Sequence, residues 1–233
     1  MAALQDSVCK SCPHLGQSIF SELQEDQLDG FCSLKYVHHY KREQRIFYEG
    51  EPNLGLFILC SGKVKISRSS RFGKRQILGL AGPCGLLEEK DLFLKDQRTV
   101  SAVAMEDSVV CFVKREDFLA LMKRQPQIAF RLVERLAVEL EEAEGRIASL
   151  SALDVRRRLA GLLLRLAHRH GTLTSDGPLI EIELTREEIA EMTGTTHETV
   201  IRILSGFKKE NLIREFQKQI LLTNEERLRR IAG

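Results

Sequence analysis

The chain has 233 residues, 43% apolar and 29% charged, with a formal net charge of +2. A chain of this size can bury two cores, and no run in it approaches the roughly 18 apolar residues of a membrane helix. The net charge is too small to mark a nucleic-acid binder by itself, so such a role has to come from how the charges are distributed.

The start, MAALQDSVCKSC, lacks a basic segment followed by an apolar one, so no secretory leader is visible and a cytoplasmic protein is expected. In that reducing compartment Cys9, Cys12, Cys32, Cys60, Cys84 and Cys111 are not expected to form structural disulfides. Cys9 and Cys12 have the Cys-x2-Cys spacing that lets two thiolates converge on one soft centre, zinc or an iron–sulfur cluster. Cys60, in an apolar run, and Cys84 read instead as small core hydrophobes, the commonest fate of a cytosolic cysteine. The segment SELQEDQLDG, which lies between Cys12 and Cys32, reads as a short helix.

Residues 35–125 follow this N-terminal Cys-containing segment of residues 1–34. The runs RIFYEG, LGLFILCSGKVKIS, KRQILGLAGP, TVSAVAM and SVVCFVK are short, rich in β-branched residues and punctuated by glycine, which predicts a small antiparallel barrel or jelly roll. Over residues 126–151 the period changes. Ala129, Val133, Leu136, Leu140, Ala143, Ile147 and Leu150 follow alternating steps of four and three, a heptad seam on a long helix. A seam this narrow predicts a parallel partner helix; the other reading is an amphipathic helix lying on its own barrel.

Residues 152–233 carry the basic residues Arg156, Arg157, Arg158, Arg165, His168, Arg169, His170, Lys208, Lys209, Arg227, Arg229 and Arg230, a distribution that would attract phosphates. Within them, Thr185 with Glu188 and Thr195 with Glu198 have capping-box spacing and mark two helix starts, with Gly194 free to end the first helix in the left-handed conformation. Ile189 and Met192 can then pack on Val200, Ile203, Leu204 and Phe207, which leaves His197, Glu198, Ile201, Arg202 and Ser205 outside. Arg can donate twice to guanine, Glu can accept from cytosine, and an exposed Ile can meet a thymine methyl. The plainer reading makes Glu198 a cap for its own helix and Glu198 with Arg202 an ordinary i, i+4 surface pair. The tail EFQKQILLTNEERLRRIAG reads as a short hairpin wing and a final helix, and no phosphate-cradling Gly-Lys loop, nucleophile elbow or zinc-protease helix occurs, so no enzyme is expected.

HETVIR followed by KKENLI resembles the recognition helix of the CRP/FNR family of bacterial transcription regulators, with Glu198 and Arg202 as its Glu and Arg four apart; LGLFILCSGKVKIS, with Gly62 as the turn, resembles the family's cyclic-nucleotide-binding-type barrel. The resemblance implies an α+β fold of N-terminal antiparallel β-barrel (jelly roll), long dimerisation helix and C-terminal winged helix-turn-helix. It implies a homodimer on double-stranded DNA with a palindromic operator, two recognition helices roughly 34 Å apart, and RNA polymerase as a further partner. The DNA-reading residues would be Thr195, Thr196, His197, Glu198, Ile201, Arg202 and Ser205; Ile201 stands where relatives often carry Ser or Gly, which leaves the half-site open. Likeness to the FNR-type oxygen sensors implies a 4Fe-4S iron–sulfur cluster held by Cys9, Cys12 and Cys111. Ser18 stands at the family's third N-terminal cysteine, so Cys32 is the substitute ligand and His14 a weaker one. In the cyclic-nucleotide-binding members a Gly-Glu pair and an Arg-Ser or Arg-Thr pair hold the ligand, whereas this chain aligns Gly85-Leu86 and Val100-Ser101 there, with Arg98-Thr99 two residues earlier. Control by thiol oxidation, a nucleotide-like ligand in the barrel, and constitutive DNA binding are the alternatives.

Overall fold

The protein is described by a computed structural model over residues 12–70, 73–94, 96–216 and 219–233, and it divides into two compact units between Glu141 and Glu142. In the first unit the β-rich runs become β1 (Lys35–Tyr40), β2 (Arg45–Phe47), β3 (Gly55–Ser61), β4 (Val64–Ser69), β5 (Arg75–Ala81), β6 (Leu86–Leu87), β7 (Ser101–Ala104) and β8 (Ser108–Lys114). They pair antiparallel in two four-stranded sheets, ordered β1-β8-β3-β6 and β2-β7-β4-β5. The expected barrel is thus an open sandwich, because β1 and β6 bound one sheet and β2 and β5 the other without closing. Leu59, Leu87 and Val110 of the first sheet pack against Phe47, Val64, Ala81 and Ala102 of the second.

The other face of the β1-β8-β3-β6 sheet is also buried, which is why LFIL in β3 runs apolar without alternation. Leu56, Ile58, Cys111 and Val113 meet a 3-10 turn at Leu15–Gln17, α1 (Glu25–Leu34), the short α2 (Asp91–Leu94), α3 (Arg115–Arg124) and the first turns of α4 (Pro126–Ala152). Ile19, Phe20, Phe31, Phe118, Ile128 and Leu132 fill this second core, with Phe20 and Phe31 stacked at 4.1 Å between ring centroids.

Helix α4 therefore carries two apolar stripes. Ile128 and Leu132 are buried and Leu136 packs at the margin of the same core, whereas Val133, Leu140 and Ile147 are 64, 60 and 68% exposed. The heptad seam read from the sequence splits accordingly: Val133, Leu140, Ile147 and Leu150 stay on the outer line, Leu136 turns inward, and Ala129 and Ala143 are half-buried. The seam reading missed Phe130, which is 72% exposed and stands three residues before Val133.

In the second unit α5 (Val155–His170) starts where the Asp154 carboxylate accepts the Arg157 N–H at 2.9 Å, and it buries Leu159, Leu162, Leu163 and Leu166. There follow β9 (Gly171–Thr174), β10 (Gly177–Ile180), α6 (Arg186–Thr193), α7 (His197–Lys209), β11 (Ile213–Phe216), β12 (Gln219–Leu222) and α8 (Glu225–Ala232), with sheet order β11-β12-β10-β9. The wing β11–β12 and the closing helix match the expectation. The β9–β10 hairpin does not appear in the sequence reading, although Asp176-Gly177 between two short apolar runs is a hairpin signal.

Two turns rest on left-handed glycines. Gly62, between β3 and β4, has φ +95, and a Cβ there would meet Ser108 Oγ at 2.2 Å; Gly194 has φ +65, and its nearest neighbour would be Leu150 at 3.4 Å. Gly194→Ala is expected to cost about 1 kcal/mol for the left-handed backbone alone. Gly62→Ala should cost more, since Ser108, whose hydroxyl donates to Glu106 O at 2.8 Å, must also move. Urea midpoints at unchanged m-value measure both, and equal losses would show that crowding at Ser108 contributes nothing.

Candidate nucleic-acid interface and sulfur-lined cavity

Helix α6 begins with the reciprocal cap read from the sequence. The Thr185 hydroxyl accepts the Glu188 N–H at 3.1 Å, and the Glu188 carboxylate accepts the Thr185 N–H at 2.9 Å. The helix ends at Gly194, and the chain re-enters α7 after two residues. Here the cap is shifted by one position. Thr196, not Thr195, caps α7, with its hydroxyl accepting the Thr199 N–H at 3.4 Å. Glu198 bonds its own backbone N–H and the Thr196 hydroxyl, which hold its carboxyl below the usual carboxylate range. It is therefore an ionised, acceptor-only group at the helix start.

Ile189, Val200, Leu204 and Phe207 lock α6 to α7, with Met192 and Ile203 half-buried. On the opposite face Thr196, His197, Glu198, Ile201 and Arg202 are exposed, and Thr195 and Ser205 half-buried. Ile201 is 43% exposed on this otherwise polar face. Arg202 makes no ion pair among the described residues, so the surface pair with Glu198 does not form and its guanidinium is available to a ligand.

The basic residues around this face act differently from the sequence expectation. Arg156 donates to both oxygens of Glu210, at 2.7 and 2.9 Å, and lies 4.9 Å over the Phe207 ring; Arg158 donates to the carbonyls of Thr193 and Leu153. Arg169 pairs with Glu142, Lys208 with Glu215, Arg227 with Glu210, Arg229 with Glu225 and Arg230 with Glu226. Much of the positive charge that looked available to phosphates is thus spent on holding elements of the second unit together.

In the first unit Cys12, Cys60, Cys84 and Cys111 line one cavity of about 30 Å³, walled by Phe20, Leu28, Phe31 and Ile58. Cys12 Sγ lies 3.4 Å from Cys84 Sγ, and Cys60 Sγ lies 2.7 Å from Cys111 Sγ. Cys9 lies outside the described residues. Cys32, the expected substitute ligand, is buried in the core, where its sulfur accepts from Lys35 Nζ at 3.5 Å, and it does not line the cavity; His14 is exposed. Cys60 and Cys84, read as core hydrophobes, stand there instead. Local backbone explains the exchange. Cys60 is the extra residue of a bulge, since Leu59 pairs with Val110 and Ser61 with Val109, and a bulge re-aims a side chain. Cys84 sits in a turn at φ +61, pinned by its N–H to Leu59 O at 2.7 Å.

Among the described residues no group of three or more His, Cys, Asp or Glu side chains is placed to hold a metal ion. The donor chemistry nevertheless suits a thiophilic centre, since sulfurs from four positions line one apolar pocket.

The nucleotide clamp is absent in the aligned register. Val100 is buried and the Ser101 hydroxyl accepts the Glu49 N–H at 3.0 Å. Arg98 lies inside the sandwich, 4.4 Å over Phe47 and 5.0 Å over Phe57, with one arm donating to Gly55 O and Nη1 buried without a hydrogen-bond partner. Burial pulls its pKa down to about 10. The Thr99 hydroxyl donates to Asp91 at 3.0 Å. Glu89, also buried, pairs with Arg135 of α4 at 2.6 Å; this long-range pair, which ties the loop after β6 to the helix, left no signal in the sequence.

The family model for the cyclic nucleotide-binding domain matches residues 37–125, and that for the Crp-like helix-turn-helix domain matches residues 157–231. The chain is 36% identical over 199 residues to the cyclic AMP receptor protein of Thermus thermophilus, covering 85% of this chain and 89% of that one. It is 27% identical over 232 residues to the transcriptional activator protein FnrL of Cereibacter sphaeroides, covering 97% and 92%. The solved structure of FixK2 from Bradyrhizobium japonicum, 26% identical, aligns with a TM-score of 0.74 over 85% of this chain and 98% of that chain. A jelly-roll sandwich, a long helix, a capped helix pair with its wing, and matches to both domains together establish that this chain belongs to the CRP/FNR family of transcription regulators and is not an enzyme.

Proposed function

We propose that the chain works as a homodimer on a palindromic operator, with DNA binding controlled by an oxygen- or redox-sensitive iron–sulfur centre in the first unit. The observation that carries this reading is the cavity shared by Cys12, Cys60, Cys84 and Cys111, because its walls Phe20, Phe31 and Ile58 belong to the same core that seats Ile128 and Leu132 of α4. An iron–sulfur cluster bound there would supply a redox-labile crosslink between the segment at Cys12 and the sheet. Repacking of Phe20 and Phe31 would then change how deeply Leu132 and Leu136 sit, and with them how α4 presents Val133, Leu140 and Ile147 to a second copy. A bias of a few kcal/mol between two such packings changes their populations by orders of magnitude.

On the DNA side Arg202 donates to guanine O6 and N7, ionised Glu198 accepts from cytosine N4, and Ile201 meets a thymine methyl, while Thr195, Thr196, His197 and Ser205 flank them toward base edges and phosphates. The region of the promoter that the dimer occupies would bring it against RNA polymerase.

A second reading has its own observation. The buried Nη1 of Arg98 lacks a hydrogen-bond partner, and relatives named as cAMP-activated regulators are 34% identical over 83% of this chain, so a nucleotide-like anion in the sandwich is the competing effector.

Purification without oxygen, with iron, acid-labile sulfide and the visible spectrum recorded before and after air, separates the two. The expected result is a coloured, iron-loaded protein that bleaches in air and loses operator affinity at least tenfold. A colourless, iron-free protein after attempted reconstitution, whose operator binding responds to added cyclic nucleotide and loses that response in Arg98→Met, would give the sandwich ligand the role instead. Arg202→Ala is expected to weaken operator binding by roughly 1 to 3 kcal/mol while leaving non-specific binding nearly intact; an equal loss on all sequences would remove Arg202 from base reading. Leu140→Glu, which places a charge in the exposed stripe of α4, should convert the dimer to a monomer in sedimentation and abolish operator binding without lowering the helix content.

A further inference from the structure

Four sulfurs reach one cavity from four separate stretches of chain, and two of them do so through irregular backbone. Cys111 projects from the ordinary pleat of β8, and Cys12 precedes the 3-10 turn. Cys60 is turned by the bulge in β3, and Cys84 holds a left-handed conformation that glycine adopts without strain and cysteine does not.

We propose that Cys12, Cys60, Cys84 and Cys111 are a four-thiolate site for a thiophilic metal centre, so that the sheet itself, through Cys60, Cys84 and Cys111, supplies most of the ligands. This rests on the sensor reading above and removes Cys32 from the ligand set expected from the sequence. The pocket walled by Phe20, Phe31 and Ile58 keeps these cysteines as neutral thiols until a cation arrives, and the thiolates then formed are stable there only with that positive centre between them. Around one tetrahedral ion, neighbouring sulfurs stand about 3.8 Å apart, as metal–sulfur bonds of about 2.3 Å require. Cys12 and Cys84 at 3.4 Å are close to that spacing, whereas Cys60 and Cys111 at 2.7 Å must part by roughly 1 Å. The cavity of about 30 Å³ has room for one ion, to which the Cys12–Cys84 and Cys60–Cys111 pairs would both have to turn, and an iron–sulfur cluster needs a larger movement of its walls. Both sources share the same thiolate ligands, and each ligand loses its proton on binding.

The test uses the full chain, reduced and held without oxygen. Cobalt(II) alone, and separately ferrous iron with sulfide, are added to wild type, Cys60→Ala/Cys84→Ala and Cys32→Ala, and bound metal, sulfide and thiolate-to-metal absorption are measured. Wild type and Cys32→Ala should bind cobalt alike, and the double variant should bind at least tenfold more weakly. Iron with stoichiometric sulfide in wild type identifies the centre as a cluster, and metal without sulfide as a single ion; either supports the site. Cys84→Gly guards against a folding artefact: it should keep or raise the Tm of the metal-free protein while losing the rise in Tm that cobalt gives wild type. Full metal binding by the double variant, or none by wild type, overturns the site, as does a metal-free Cys84→Gly with a clearly lowered Tm and an undiminished cobalt response. A site that binds metal without any change in operator affinity leaves this assignment standing and removes the sensor reading. A cluster that controls operator affinity equally in the double variant does the reverse.

Discussion

Strand β8 is buried on both faces, and the arrangement of the first unit follows from that constraint. The pleat sends Val110 toward the second sheet and Cys111 toward the helices, so the alternation that usually separates core from solvent separates two cores here. One core closes the sandwich and holds the Arg98 side chain above Phe47 and Phe57. The other requires a helical cover, which the 3-10 turn, α1, α3 and the first turns of α4 provide. A thiol on the second face therefore lies beneath the residues that position the long helix.

This geometry makes α4 an element with two obligations. Ile128 and Leu132 answer to the first unit's core, while Phe130, Val133 and Leu140 face outward and are mostly exposed. Arg135 adds a polar anchor between the stripes. It pairs with buried Glu89 at 2.6 Å and with Glu139 at 3.0 Å, and burial raises the Glu89 carboxyl pKa even with the guanidinium beside it. The loop after β6, which begins near Cys84, is thereby tied to the helix by charge as well as by packing.

The parts of this protein that were legible in its sequence are those encoded locally. The Thr185 and Glu188 cap, the Gly194 turn and the apolar faces of α6 and α7 lie within a few residues of one another, and helix chemistry fixes them. The strands could be read from their composition, but closure into a barrel or opening into a sandwich depends on which edges meet, and composition is silent on that. The heptad seam was half legible: one stripe looked continuous because Leu136 fits the spacing, although its side chain packs on a core gathered from residues as far apart in sequence as Ile19, Ile58 and Phe118. Which cysteines share a cavity was not legible for the same reason. Cys32 was favoured by its place near the N-terminal pair, whereas a bulge and a left-handed turn, neither with a distinct sequence signature, bring Cys60 and Cys84 to the cavity.

The neutralised surface of the second unit bears on how it meets a polyanion. Arg156, Arg169, Lys208, Arg227, Arg229 and Arg230 already have carboxylate partners within the chain, so docking on a duplex does not oblige each of them to displace a cation from the phosphate backbone. Where these pairs persist on the duplex, fewer counterions are released per subunit and binding weakens less steeply as ionic strength rises. A regulator built this way owes a larger share of its affinity to the shape and edges of its half-sites than a uniformly basic domain does, and it spends less time held on unrelated DNA.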